Sequence, residues 1–460
     1  MDEQQPDAEA PIEPVANADQ APPTEQPPRA RPKPIRVHER IEAVDTLRGV
    51  ALLGILTMNI AAFAWPMGGY ENPRFSGGDE PANTAFWAFN SVVFSGKMMS
   101  LFSMLFGAGL VVMNERAAAR GASLRGVYYR RNFWLLVIGM VHAYLIWGGD
   151  VLVPYALCGF VLYPFRRFRA GTLIAVGTLL VIVQVAVWYA FLNYGAFIAG
   201  VAEEAAAARA DGVEPEDWQA EMEEVWAEGF RPLLAPSEED IQDEIGLYLS
   251  SYPEIVRGRA EDVLMFQTFG FLMIMSWGAS GRMLIGMGLM KLGVFSAERS
   301  TGFYSRLAAL GYGLGLPLTA AGMALTYHAE YELVRTPGGA ALFTLGMVPV
   351  AIGHAAVVTM LCKNRVWPRL AERLAAVGRT ALSNYLLQSL VCTTLFYGYG
   401  LALFGRLDRV ALWGVVLGVW ALQLWASPVW LSRFRFGPAE WLWRSLTYGR
   451  RQRMLKPDLA

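Results

Sequence analysis

The sequence predicts an all-α, polytopic membrane protein of about ten transmembrane helices with both termini in the cytoplasm, and three observations lead there. Hydrophobic residues make up 54% of the 460, charged residues 17%, and Trp, Tyr and Phe 12%, which is too apolar and too aromatic for a soluble chain of this length. The apolar residues gather in ten runs, most of them near the roughly 20 residues that cross a hydrocarbon core. The basic residues then alternate in density. From an inside amino terminus, 29 Lys and Arg fall in cytoplasmic segments, eight in outer ones, and only Lys97 and Arg282 within spans. That bias follows the positive-inside rule, and an odd number of spans would destroy it.

Residues 1–34 are rich in Pro, Ala, Glu and Gln and contain almost nothing that could build a core. They read as a disordered cytoplasmic arm, and without an apolar h-region they are not a cleaved signal peptide. A first membrane bundle is expected over 35–194, with spans near 47–65, 84–113, 132–149, 151–165 and 171–194. The second run is long enough to tilt or to begin in the interface, whereas the fourth is short and carries Pro154, so a broken or re-entrant helix is expected there. A second bundle is expected over 263–436, with spans near 263–290, 303–327, 339–362, 380–403 and 409–431, and a basic, Trp-rich cytoplasmic tail over 437–460. Between the bundles, 195–262 holds eighteen Asp and Glu against four Arg. Trp218, Met222, Val225 and Trp226 are spaced there for one helix face, so the segment reads as an acidic, mainly helical extracytoplasmic cap; a plain solvated charge run fits it too.

Charged groups inside a span are costly, so each is a candidate for function. Asp45 and Arg48 stand at i and i+3 on the edge of the first run, share a helix face and can pair. They suit a salt bridge anchoring the helix, and equally a pocket mouth where the Arg48 guanidinium would meet phosphate oxygens. Asn59, three turns further along, is an amide in the outer half of the membrane that needs a partner helix or a substrate. His142 is the candidate for proton chemistry, because imidazole takes and returns a proton near neutral pH. On an unbroken helix Asp150 would lie about 12 Å beyond it and roughly 80° round, so contact requires a bend at Gly148 and Gly149. A histidine merely hydrogen-bonded to a neighbouring helix fits the same residues.

Asn384 and Gln388 are the other strong polar groups, while His328, near an outer loop, and His354, on an apolar face, read as structural. Cys158, Cys362 and Cys392 lie in apolar runs without paired spacing, so neither a disulfide frame nor a metal site is expected. No serine nucleophile elbow, phosphate-binding loop or dinucleotide fingerprint is present. The glycines of "LFGAG" at 105–109 suit close helix packing. The net charge of −1 says nothing about partners, and no nucleic acid is expected beside the lipid bilayer.

Five motifs in order carry a resemblance. They are "RIEAVDTLRGVALLGILTMNI" from residue 40, "SLFSMLFGAG" at 100–109, "HAYLIWGGDVLVPYALCG" at 142–159, "GRTALSNYLLQS" at 378–389 and "FGPAEWLWRSLTYGRRQRM" at 436–454. Over nearly everything after residue 38 the chain resembles the YeiB-like family of bacterial inner-membrane proteins, the domain-of-unknown-function 418 group. More widely it is similar to the transmembrane acyltransferase superfamily. In the lysosomal heparan-glucosaminide acetyltransferases of that superfamily, a first helix reads Asp, two residues, Arg-Gly, then an apolar run ending in Asn, matching Asp45, Arg48, Gly49 and Asn59. Those enzymes use a histidine shortly after the asparagine, and here "IAAFAWPMGGYENP" has none.

The resemblance therefore implies a multi-pass protein of the bacterial cytoplasmic membrane that passes an acyl group from acyl-CoA to an envelope lipid or glycan. The family's histidine has no counterpart here, so our own assignment takes the base from another helix: His142 would be the general base, Asp150 its orienter and Asn59 the partner of the thioester carbonyl, with Arg48 and Arg379 near the CoA phosphates. A small-molecule transporter or exporter using the same polar groups, with the Pro154 segment as its moving element, is the competing expectation. A scaffold for an envelope complex would suit the acidic cap but leaves the intramembrane His and Asn unexplained.

Overall fold

A computed structural model describes residues 42–72, 80–330 and 335–456; the arm expected over 1–34 lies outside them. The protein is an all-α, polytopic membrane bundle. The helices that matter below are α1 (Glu42–Ala64), α2 (Pro81–Val93), α3 (Lys97–Ala118), α4 (Arg125–Val141), α5 (Leu152–Leu162), α6 (Ala170–Ala210), α7 (Asp217–Val225), α8 (Glu238–Tyr248) and α9 (Tyr252–Gly258). They are followed by α10 (Ala260–Lys291, π-helical over Phe266–Met275), α11 (Thr301–His328), α12 (Pro337–Lys363), α13 (Pro368–Arg379), α14 (Ala381–Phe396), α15 (Arg409–Arg433) and α16 (Pro438–Tyr448). Among the described residues, seven stretches are long and apolar enough to cross a membrane: α1, α2 with α3, α6, α10, α11, α12 and α15. The remaining apolar runs form α4, α5 and α14, of 17, 11 and 16 residues, and these shorter helices carry the polar site.

The second run divides at residues 94–96, where Gly96 takes φ +70° between α2 and α3. Pro154 does not break its helix. It sits in the first turn of α5, where its missing N–H has no intrahelical acceptor to lose, and the break falls earlier, in the extended Trp147 and the bends that follow it.

The central helix is α1. Buried residues fill 83% of its apolar window, against 28% for α6 and 22% for α10, whose remaining faces are left for lipid. Small residues let it sit that deep: a Cβ on Gly49 would collide with the Leu374 carbonyl of α13, and one on Gly378 with the Asp45 carbonyl of α1. A second reciprocal crossing joins α3 to α10, where Gly107 faces the Met283 backbone and Gly286 faces that of Met104. Gly109 of the same "LFGAG" run has open space around it.

The acidic segment is helical. α6 runs unbroken to Ala210, and α8 and α9 start from capping boxes, Ser237 with Asp240 and Ser251 with Glu254. α7 has no buried residue and Trp218 is 48% exposed, so the apolar spacing along α7 does not mark a core face. α8 docks on the bundle: the Met67 N–H donates to Glu244 Oε2 at 3.0 Å, the Gly398 N–H donates to the Tyr248 carbonyl at 2.9 Å, and the Tyr248 ring stacks on Phe404. Burial, opposed in part by the Met67 N–H and aided by Asp262, pushes the Glu244 carboxyl up to about 7.

Gly378→Ala should destabilise the bundle by about 1–3 kcal/mol, because its Cβ meets a backbone carbonyl that cannot rotate away. Gly109→Ala should be close to neutral, and thermal unfolding in detergent compares the two. The docked cap favours protonated Glu244, so docking should be tightest below pH 4.5, its ordinary value, and weaken as pH rises through about 7. Hydrogen exchange over 238–258 at pH 5 and pH 8 should show that loosening, and Glu244→Gln should remove it.

Candidate active site: a sealed histidine between an aspartate and a serine

α4 does not end cleanly. Its last turn continues as a π turn over His142–Ile146, in which the Trp147 N–H donates to the His142 carbonyl at 2.8 Å. The chain then extends at Trp147, turns at Gly148 and Gly149, and re-enters as α5. A Cβ on Gly149 would run into the Trp147 indole, which is itself stacked on Phe63 of α1 at 3.9 Å between centroids. The bend required for contact is therefore present, and Asp150 lies beside His142.

His142 Nδ1 is 2.8 Å from Asp150 Oδ1, and its Nε2 is 2.8 Å from Ser389 Oγ on α14. All three are sealed from solvent, at 1%, 2% and 1% exposure. The Val153 N–H donates to Asp150 Oδ2 at 2.7 Å, so the carboxylate is held at both oxygens. The tautomer follows: Nδ1–H donates to Asp150, leaving Nε2 to accept from the Ser389 hydroxyl. The Tyr385 ring packs 5.0 Å from the imidazole, and its hydroxyl accepts from the Val151 N–H at 3.3 Å.

The π turn leaves carbonyls without helical partners, and the acidic segment supplies donors. Arg259 Nη1 donates to the Ile146 carbonyl and Nη2 to that of Tyr144, both at 2.9 Å, while the Tyr252 hydroxyl donates to that of Leu145 at 2.8 Å. α14 is fixed separately. Asn384 donates to Thr380 and Ser427, Gln388 to Gln423, and Gln423 back to the Asn384 carbonyl, so these amides tie α14 to α15. At its start Glu440 Oε1 accepts from the Leu382 and Ser383 N–H groups at 2.6 and 3.2 Å.

A cavity of about 280 Å³ runs from one end of the bundle to the Tyr385 ring. Its deep wall is apolar, with Leu52, Ile55, Phe102, Phe106, Leu135 and Leu152, and its other end carries Arg48, Arg116, Arg131, Arg379 and Arg444 against Asp45 and Glu440. Asp45 is engaged by Arg48 at 3.1 Å and Glu440 by α14, so the five guanidiniums leave a surplus of three positive charges. Three buried donors on this wall, Asn132 Nδ2, Arg379 Nε and Arg444 Nη1, have no hydrogen-bond partner. Unpaired buried donors of this kind suit an anionic ligand.

The structure thus brings His142 and Asp150 together, and places Asp45, Arg48 and Arg379 on one cavity wall. Asn59 is buried and does not line the cavity, although it stands on the α1 face that carries Leu52, Ile55 and Phe63. His354 accepts from the Tyr312 hydroxyl at Nδ1 and donates to the Val93 carbonyl from Nε2, both within 2.9 Å, which is a helix-packing role. Ser389, Tyr385, Arg131, Arg444 and Arg259 were not among the sequence candidates. For Ser389 the available signal was its place at the end of "GRTALSNYLLQS", a polar stripe in an apolar run.

A helical bundle that buries such a polar trio beside an arginine-rimmed cavity is a polytopic membrane protein built round an internal site. The chain belongs to the YeiB-like family. It is 31% identical over 427 residues to the uncharacterised protein YeiB of Escherichia coli strain K12, an alignment covering 89% of this chain and 96% of that relative. It is 32% identical to the uncharacterised YxaH of Bacillus subtilis strain 168 over 429 residues, 90% of this chain and 96% of that one. Residues 289–450 match the family described as protein of unknown function DUF418.

Arg259→Ala should strand two carbonyls and cost about 1–3 kcal/mol for each left unsatisfied. Arg259→Lys should recover only part, since an ammonium lacks the fork that reaches both carbonyls. Thermal unfolding followed through tryptophan emission should rank wild type above Lys and Lys above Ala.

Proposed function

We propose that this protein, in the bacterial cytoplasmic membrane, transfers a short acyl group from cytosolic acyl-CoA to a hydroxyl or amine of an envelope lipid or glycan. The observation that carries the reading is the cavity: a cationic, donor-rich mouth leading through an apolar passage to the edge of a buried histidine–aspartate pair. A nucleotide bearing phosphates needs guanidiniums, and its acyl-pantetheine arm needs an apolar channel. Arg48, Arg379, Arg131 and Arg444 would hold the phosphates. The volume, at the low end of ligand sites, favours a short acyl chain.

In this reading His142 is the base and Asp150 keeps Nδ1 protonated, so that Nε2 is free to accept a proton and the imidazolium that forms is stabilised. Asn59 lies off the cavity wall, so the carbonyl oxygen of the thioester is assigned instead to Tyr385, which lines it, and a side-chain donor there contributes about 3 kcal/mol in the transition state.

His142→Ala should lower turnover by about 10²-fold or more. Arg379→Ala should raise KM for acyl-CoA about tenfold with kcat nearly unchanged, the signature of lost uniform binding. Purified protein in nanodiscs, followed by thiol release, gives both values, and mass spectrometry of envelope lipids and glycans from deletion and His142→Ala strains identifies the acceptor. An envelope unchanged in both strains, with a solute accumulating on one side of the membrane, would replace transfer by transport.

A further inference from the structure

We propose that Ser389 is a nucleophile that carries the acyl group as a covalent ester between donor and acceptor, which makes the transfer a two-step relay. This rests on the acyl-transfer reading above and deepens it.

The argument begins with how buried helical serines are satisfied. A serine inside an apolar helix ordinarily turns its hydroxyl back to the carbonyl four residues earlier. In this protein Ser100 does so to Gly96 at 2.6 Å and Ser103 to Met99 at 2.8 Å. Ser389 departs from the habit: its distance to the Tyr385 carbonyl is 3.4 Å, whereas its distance to His142 Nε2 is 2.8 Å. The hydroxyl has been turned to an imidazole whose other nitrogen is held by a carboxylate, itself fixed by a backbone N–H. That is the arrangement by which a weak nucleophile is activated: base within hydrogen-bond reach, base oriented by a third group.

The surroundings fit a thioester arriving from one side. Tyr385, one turn before Ser389, lines the cavity and its ring packs 5.0 Å from the imidazole, so it links the cavity to the buried histidine. The Tyr385 hydroxyl accepts from the Val151 N–H and keeps its own proton for the carbonyl oxygen. A covalent ester also removes a geometric conflict. The arginines belong to the cavity that would hold the nucleotide, and an acceptor taking the group from an ester on Ser389 need not share that cavity with it.

The chemistry balances without a co-reactant. As Ser389 Oγ bonds to the thioester carbon, its proton passes to His142 Nε2; the C–S bond then breaks and the departing sulfur takes that proton, leaving as free thiol. In the second step the acceptor hydroxyl or amine gives its proton to Nε2 while its heteroatom bonds to the ester carbon. The Oγ–C bond breaks, and Oγ recovers the proton.

The test uses the full-length chain in nanodiscs with acetyl-, propionyl- and succinyl-CoA as probe donors, the acceptor being membrane extract from the deletion strain. Wild type should show a burst of about one thiol per protein and one acyl increment on the peptide that contains Ser389. Ser389→Ala should lose both and turn over about 10³-fold more slowly while unfolding at nearly the wild-type temperature. Ser389→Cys should regain the increment as a hydroxylamine-labile thioester. A fluorophosphonate probe, which needs no donor, should label Ser389 in wild type and fail in His142→Ala. Product formation by Ser389→Ala within about threefold of wild type overturns the relay and leaves direct transfer, with His142 activating the acceptor. Absence of thiol release by wild type with every probe donor, together with an unchanged envelope in the deletion strain, removes the acyl-transfer reading and the relay with it.

Discussion

A carboxylate, an imidazole and a hydroxyl can be kept away from water only if each polar atom around them has a partner, and much of this fold follows from that requirement at His142. Bringing Asp150 back to the ring calls for a chain reversal inside an apolar bundle. The reversal exposes three carbonyls, which Arg259 and Tyr252 satisfy. Leaving two of those groups bare would cost about 2–6 kcal/mol, a sizeable share of an ordinary margin of stability, so the acidic segment is as much a part of the site's architecture as α4 and α5 are.

The same logic separates two kinds of polar residue. Asn384, Gln388 and Gln423 are engaged within the protein, by Thr380 and Ser427, by one another and by backbone, and their effect is to fix the rotation of α14 about its axis. Arg379 and Arg444 keep unpaired donors at the cavity wall. Saturated groups hold geometry; unsaturated ones face something that the protein alone does not provide.

Much of this is legible in the sequence. Ten apolar runs gave the helical, polytopic class, because lipid permits little else. His142 and Asp150 could be paired on the condition of a bend at two glycines, and Gly107 packs as the small-residue reading of 105–109 expects. What stayed hidden did so for physical reasons. Ser389 meets a partner 247 residues away, and no local pattern encodes such a meeting. Arg259 sits in a stretch of acidic charges and reads as a solvated residue, whereas it is buried; its acceptors are main-chain carbonyls, which sequence does not display. Arg131 and Arg444 contribute to the charge bias that fixes topology, and that role conceals their second position on the cavity wall.

The Tyr385 ring has a bearing on the cell as well as on the site. A continuous thread of water through any membrane bundle would let protons and ions leak across it. The Tyr385 ring lines the cavity and packs 5.0 Å from the His142 imidazole, which is itself sealed from solvent. A ring so placed lets the bundle keep an arginine-lined recess close to a buried histidine and remain an insulator.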